Sequence, residues 1–121
     1  MIGLKHTSQL TVNDAVTAIA MGSGDMPVLA TPSMMALMEN AAMLAVAEHL
    51  PEGCTTMGGH IASSHLKPSK LGETVTATAV VTKVEGKKIE FKVTAQCCDV
   101  LIGEGTHLRF IVDKEEFMSR L

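Results

Sequence analysis

Between residues 74 and 97 the chain alternates polar and apolar positions with a period of two. Thr74, Thr76, Thr78 and Thr82 interleave with Val75, Ala77, Ala79 and Val81. After Val84-Glu85-Gly86-Lys87, the residues Ile89, Phe91, Val93, Ala95 and Cys97 alternate with Lys88, Glu90, Lys92 and Gln96. Successive side chains of a strand point to opposite faces, so this pattern predicts a hairpin of two half-buried strands. Asp99 allows a second turn, and residues 100–113 then predict another strand, with Ile102, Leu108, Phe110 and Val112 inward and His107 and Arg109 on the other face. Residues 4–13 predict a first strand, carried by Leu10 and Val12, and residues 14–20 a short helical turn. Residues 54–66 look extended, and Gly58-Gly59 within them suggests a bulge or a close backbone approach. Residues 68–72 turn the chain, and residues 114–121 predict a short terminal helix.

Residues 30–50 follow a different rule. Ala, Met and Leu dominate from Met34 to Leu50, and no polar face breaks the run. These are strong helix formers, and a helix apolar on nearly every side is usually wrapped by something else. Thr31 suits the N-cap, Pro32 then falls at the first helical position, and Pro51 and Gly53 mark the stop. One residue disagrees with these surroundings. Glu39 lies two turns in, among Leu37, Met38, Ala41 and Ala42. A carboxylate there must find a partner, reach water or take up a proton.

One strand, one long helix and four strands joined by tight turns predict a single α+β domain over residues 1–121, with an antiparallel sheet around one helix. The far face of the sheet carries Val80, several threonines and small residues, so a second copy is expected to cover it or to extend the sheet at an edge. The net charge of −3, the absence of any basic run, and aromatic residues at 2% set nucleic-acid binding aside. No uncharged apolar run is long enough to span a bilayer, and residues 1–6 do not read as a signal sequence; the expected location is the cytoplasm. There are three cysteines, with Cys97 and Cys98 adjacent and pointing opposite ways on a strand. That predicts neither a disulfide framework nor a metal knuckle. Nine methionines suggest a core filled by flexible side chains.

The candidate chemistry is sparse. Thr31 at a helix N-terminus places a hydroxyl beside free N–H groups, which favours an oxyanion, although from the residues alone a plain capping role explains it better. Glu39 lies eight residues on, roughly on the same side and about 12 Å along the axis, so a substrate or another chain must bridge the two. His65 falls at a strand end beside Lys67-Pro68, and His60, five residues earlier, faces away from it on a regular strand, which excludes a shared metal. His107 and Arg109 mark either a solvated edge or a contact to phosphate or pantetheine. Residues 21–27, with two glycines and a proline just before the helix, read as a connection that could border a pocket.

The stretch Ala30-Thr31-Pro32-Ser33-Met34-Met35-Ala36-Leu37-Met38-Glu39, the pair His65-Leu66 after Gly58, and Gly103-Glu104-Gly105-Thr106-His107-Leu108-Arg109 together resemble the fluoroacetyl-CoA thioesterase family of hotdog-fold enzymes. The offsets agree: Thr and Glu are eight apart, Glu and His twenty-six apart. The resemblance implies a hotdog fold, with one long helix wrapped by a five-stranded antiparallel sheet. It also implies hydrolysis of a small acyl-CoA thioester at a site shared between two subunits of a homodimer. Thr31, Glu39 and His65 are then the catalytic set. Gly58, with Gly59 beside it, takes the position whose backbone meets the thioester, and Arg109 that of a coenzyme A contact. No metal or other cofactor is implied, because coenzyme A is part of the substrate. Residues 21–27 depart from the family, whose fluoroacetyl specificity rests on phenylalanines in a lid before the catalytic Thr. Here Phe91, Phe110 and Phe117 all lie C-terminal, so a general short-chain acyl-CoA thioesterase is expected. The alternative is a non-catalytic hotdog module that binds acyl-CoA or another apolar ligand.

Overall fold

Hairpin turns as short as Gly86-Lys87 permit only antiparallel pairing, and they build one sheet. A computed structural model describes residues 1–121. Its strands are β1 (Lys5–Thr11), β2 (Cys54–His65), β3 (Thr74–Glu85), β4 (Lys88–Cys97) and β5 (Val100–Asp113). They stand in the order β1-β3-β4-β5-β2, with every neighbouring pair antiparallel. Helix α1 (Ala18–Met21) is a single turn, α2 (Thr31–Val46) lies across the sheet, and α3 (Lys114–Ser119) ends the chain. No helix is long and apolar enough to cross a membrane.

Helix α2 packs chiefly on β1 and β3. Ala41, Ala42 and Ala45 of the helix and Ala77, Ala79 and Ala95 of the sheet are all buried. Side chains this small let helix and sheet approach closely, while Met34, Met38, Val75, Val81, Ile89, Phe91 and Val93 fill the space around them. Each of the larger ones contributes about 1.5–3 kcal/mol by leaving water. Ser8 Oγ donates to Asn40 Oδ1 at 2.7 Å, a polar tie between β1 and the helix. The helix is not wrapped all round, as its composition suggests. Ala36, Asn40 and Leu44 remain exposed along one side.

Four expectations need correction. First, the helix starts one residue early: Ala30 is the N-cap and makes no side-chain cap bond, so Thr31 is the first helical residue and Pro32 the second. Second, α2 ends at Val46 and tightens into a 3-10 turn over Ala47–His49 instead of running on to Leu50. Third, β5 changes phase. Ala95 pairs with Gly103 but Gln96 with Leu101, which leaves Ile102 as an extra residue. Such a bulge turns two consecutive residues inward and exchanges the faces beyond it. Ile102 and Gly103 are both buried; past them His107 and Arg109 point inward, and Phe110 is 40% exposed. Leu108, Phe110 and Val112 are therefore not the core face, and His107 and Arg109 do not lie on a solvated edge. Fourth, Cys97 and Cys98 do not point apart. Cys98 and Asp99 form a left-handed turn with φ of 56° and 62°, and the two sulfurs lie 3.4 Å from one another.

The bulge also fixes the end of β2. The Ile102 carbonyl accepts from the Leu66 N–H at 2.6 Å and from the Lys67 N–H at 3.3 Å. Two glycines beside it let neighbours close in. A methyl group on Gly103 would lie 2.5 Å from Met34 Sδ, so this glycine admits the first turns of α2. One on Gly105 would strike the Ala62 carbonyl and lie 2.7 Å from Ser63 Cα, both backbone atoms of β2 that cannot rotate away. Gly105→Ala is therefore expected to cost about 1–3 kcal/mol, read as a lower denaturant midpoint. The exposed Lys92→Ala should stay within about 0.5 kcal/mol of the parent. Equal midpoints for the two variants would contradict the close β2–β5 approach.

Candidate active site

Thr31 opens α2 and His65 closes β2, and the fold brings them together across thirty-four residues of chain. Thr31 Oγ1 lies 2.8 Å from His65 Nδ1. The hydroxyl meets the imidazole and makes no capping bond. His65 is half-buried, and burial holds its pKa below the ordinary histidine value, with the Lys67 backbone countering part of that effect. The ring is thus neutral at neutral pH. Its Nε2 is buried and makes no hydrogen bond. When Thr31 donates to Nδ1, that unpartnered Nε2 carries the ring proton. Both side chains line an open cleft of about 310 Å³ with Ser23, Val28, Leu66 and Lys67. Ser23 belongs to the connection over residues 21–27, which does border the cleft as its position before the helix suggested.

A second polar group lies under the middle of α2. Here β2 bulges at Gly58, where the register with β5 shifts by one before His60. A methyl group on Gly58 would lie 3.1 Å from Glu39 Oε2, 3.4 Å from His107 Cε1 and 3.5 Å from Arg109 Nη1. The glycine thus leaves open the space around which a carboxylate, an imidazole and a guanidinium converge. Arg109 is 7% exposed and fully engaged. Its Nε donates to Thr56 Oγ1 at 2.8 Å, its Nη2 to the Thr56 carbonyl at 2.9 Å, and its Nη1 lies 3.2 Å from His107 Nε2. His107 Nδ1 lies 2.7 Å from the His60 carbonyl, which can only accept, so Nδ1 carries the proton and Nε2 accepts from Arg109. Burial, and after it the Arg109 charge, lowers the His107 pKa, while the His60 carbonyl and Glu39 oppose that; the ring stays neutral. Burial lowers the Arg109 pKa too, and the Glu39 charge raises it.

Glu39 itself is half-buried, and its carboxylate makes no hydrogen bond or direct ion pair within the chain. A structural ion pair is thus not what keeps it there. The structure joins Thr31 with His65, and separately joins Glu39, Gly58 and Arg109. Gly59 is in neither group, because its missing side chain makes room for the Phe110 ring instead. Sequence reasoning missed Thr56 as a site residue and placed His107 and Arg109 on the wrong face. The available signal was Gly103-Glu104-Gly105, whose small residues mark a strand that bends and approaches its neighbours.

The comparisons with known proteins agree with this fold. A family model described as fluoroacetyl-CoA-specific thioesterase matches residues 12–115. The fluoroacetyl-CoA thioesterase of Streptantibioticus cattleyicolor is 36% identical over 94 residues, covering 78% of this chain and 68% of that protein. Among solved structures, a variant of the fluoroacetyl-CoA thioesterase in complex with acetyl-CoA superposes with a TM-score of 0.92 at 29% identity, covering 99% of this chain and 95% of that one. A thioesterase superfamily member from Thermus thermophilus gives a TM-score of 0.90 at 25% identity, covering 99% and 89%. The chain is a hotdog-fold thioester hydrolase and belongs to the fluoroacetyl-CoA-specific thioesterase family.

Proposed function

We propose that this protein hydrolyses a small acyl-CoA thioester to the free acid and coenzyme A, at a site assembled from two copies of the chain. Thr31 and His65 come from one copy and Glu39 from the other. The observation that carries this reading is the unengaged Glu39 carboxylate, half-buried among apolar neighbours and facing Gly58 and Arg109 without a partner of its own. A carboxylate kept there without a structural bond is available for work. Its position about 12 Å along α2 from Thr31 keeps it from acting on the Thr31–His65 pair of its own chain without a bridge.

Chemistry follows from the pair. In the reading proposed here, Thr31 Oγ attacks the thioester carbonyl carbon while His65 Nδ1 takes the hydroxyl proton. The carbon–sulfur bond breaks, and the departing thiolate of coenzyme A receives that proton from His65. Glu39 of the second copy then draws a proton from a water molecule, whose oxygen attacks the acyl-threonine ester; the bond from the acyl carbon to Thr31 Oγ breaks, the acid leaves, and the departing Oγ recovers the proton held by Glu39. The oxygen charge that develops in each step is stabilised by the positive end of α2 and by backbone N–H groups near Gly58. Arg109 supports the reaction from beneath, as the charge facing Glu39; Lys67, exposed in the wall of the cleft, is the better placed residue for coenzyme A phosphates. Hydrolysis brings no net oxidation or reduction, so the scheme uses no redox cofactor.

Homodimerisation rests on β2. This edge strand runs for twelve residues without a charged residue or a proline, and its outer backbone groups have no partner strand. Native edges are usually blunted by such residues, so an unprotected edge suits pairing with a second copy. The acyl group is read as short and not specifically fluorinated, because residues 21–27 beside the cleft contain no aromatic side chain.

Two measurements test this reading. Glu39→Gln should keep the fold and lower turnover by at least about a hundredfold, the scale of losing an acid–base group, in a thiol-release assay across acyl-CoAs of increasing chain length. Parent-like turnover would remove Glu39 from the mechanism, and binding without thiol release by the parent protein would favour the non-catalytic module. The pH profile tests His65. Its lowered pKa keeps the base neutral below the ordinary histidine range, so kcat/KM should stay level from neutral pH downward and fall only below about 6.5. An acid limb centred above about 7 would contradict a buried neutral His65.

A further inference from the structure

Three ligating side chains meet at the β4–β5 turn, none of them used in the scheme above. Cys97 ends β4, and the left-handed turn at Cys98 and Asp99 brings the Cys98 sulfur to 3.4 Å from that of Cys97. Register pairs Val75 of β3 with Cys97, which puts Glu73 beside Cys98. The Cys98 thiol donates to Glu73 Oε2 at 3.1 Å. Glu73 Oε1 accepts from the Lys70 N–H at 2.7 Å, so the carboxylate is fixed in place before any ligand arrives. One donor atom from each of the three residues lies within 4.8 Å of the others.

We infer that Cys97, Cys98 and Glu73 form a binding site for a thiophilic divalent cation of the zinc type. Two sulfurs and one oxygen select such an ion over magnesium or calcium, which take all-oxygen shells. With a zinc–sulfur bond of about 2.3 Å, the 3.4 Å sulfur separation subtends an angle of about 95° at the metal, within reach of a tetrahedral arrangement after a small relaxation. Three protein ligands leave the fourth position to water. The ion takes the place of the proton that now bridges Cys98 and Glu73. The Cys97 thiol gives up its proton as well. Binding therefore releases protons. It also ties the β4–β5 turn to the segment just before β3, which leads back to Leu66 and Lys67 at the cleft.

The test uses the reduced full-length protein titrated with Cd2+, whose bonds to thiolate absorb in the ultraviolet. The expected result is one Cd2+ per chain with a sulfur-to-cadmium band, displaced by added Zn2+. The exposed Cys98 thiol should become shielded from a chromogenic disulfide reagent, with Cys54 left reactive. Cys98 is exposed, so Cys98→Ser should keep its circular dichroism spectrum while losing at least tenfold in affinity and about half the band. Glu73→Gln should weaken binding and retain the band. No saturable band in the parent, or an unchanged band and affinity in Cys98→Ser, overturns the proposal.

Discussion

A single helix of sixteen residues has to cover a five-stranded sheet, and it covers only part of it. Its alanines seat it closely against β1 and β3, where the interior is dry and apolar. Towards β5 and β2 the helix makes less contact with the sheet, and there the buried inward positions are His107, Arg109 and Thr56. The interior is therefore divided. The apolar half holds the domain together, and the polar half is where the Glu39 carboxylate sits without an ion pair of its own. Arg109 is charged and buried at some cost, and its three hydrogen-bonding contacts are what make that burial tolerable. Everything said above about chemistry depends on this lopsided coverage.

Much of the fold was legible because β3 and β4 alternate without interruption and the hairpin between them is short. The five-stranded sheet, the long helix and the bulge at Gly58-Gly59 follow from those patterns and from turn chemistry. The face of β5 was not legible, for a definite reason. Strict alternation puts Leu108 and Phe110 inside, and one extra residue at Ile102 reverses the order; a period-two reading has no means to register a residue that pairs with nothing. The Cys97-Cys98 turn failed for a related reason, since a left-handed turn at two non-glycine residues is uncommon and leaves little trace in composition.

The candidate site divides in the same way. Thr31 at a helix start reads as a cap, because capping is local and common, whereas its contact with His65 depends on how β2 ends against the Ile102 carbonyl. Glu39 stood out because a charge within an apolar run conflicts with its surroundings, and such conflicts survive into the folded structure when they serve a function. The resemblance to a known family supplied the association of Thr31, Glu39 and His65, which no pattern of hydrophobicity contains. Within one chain the structure then separates them into two groups.

In the function proposed above, that separation is met by each active site drawing on two copies. The most direct measurement mixes two variants that fail for different reasons, Glu39→Gln and His65→Ala. In a mixed dimer one of the two sites regains an intact Thr31–His65 pair from the first chain and an intact Glu39 from the second. Equal co-expression is expected to restore about a quarter of the parent activity per chain, because half of the dimers are mixed and each holds one working site. Activity no higher than that of the separate variants, with mixed dimers shown to form, would contradict a site shared between subunits.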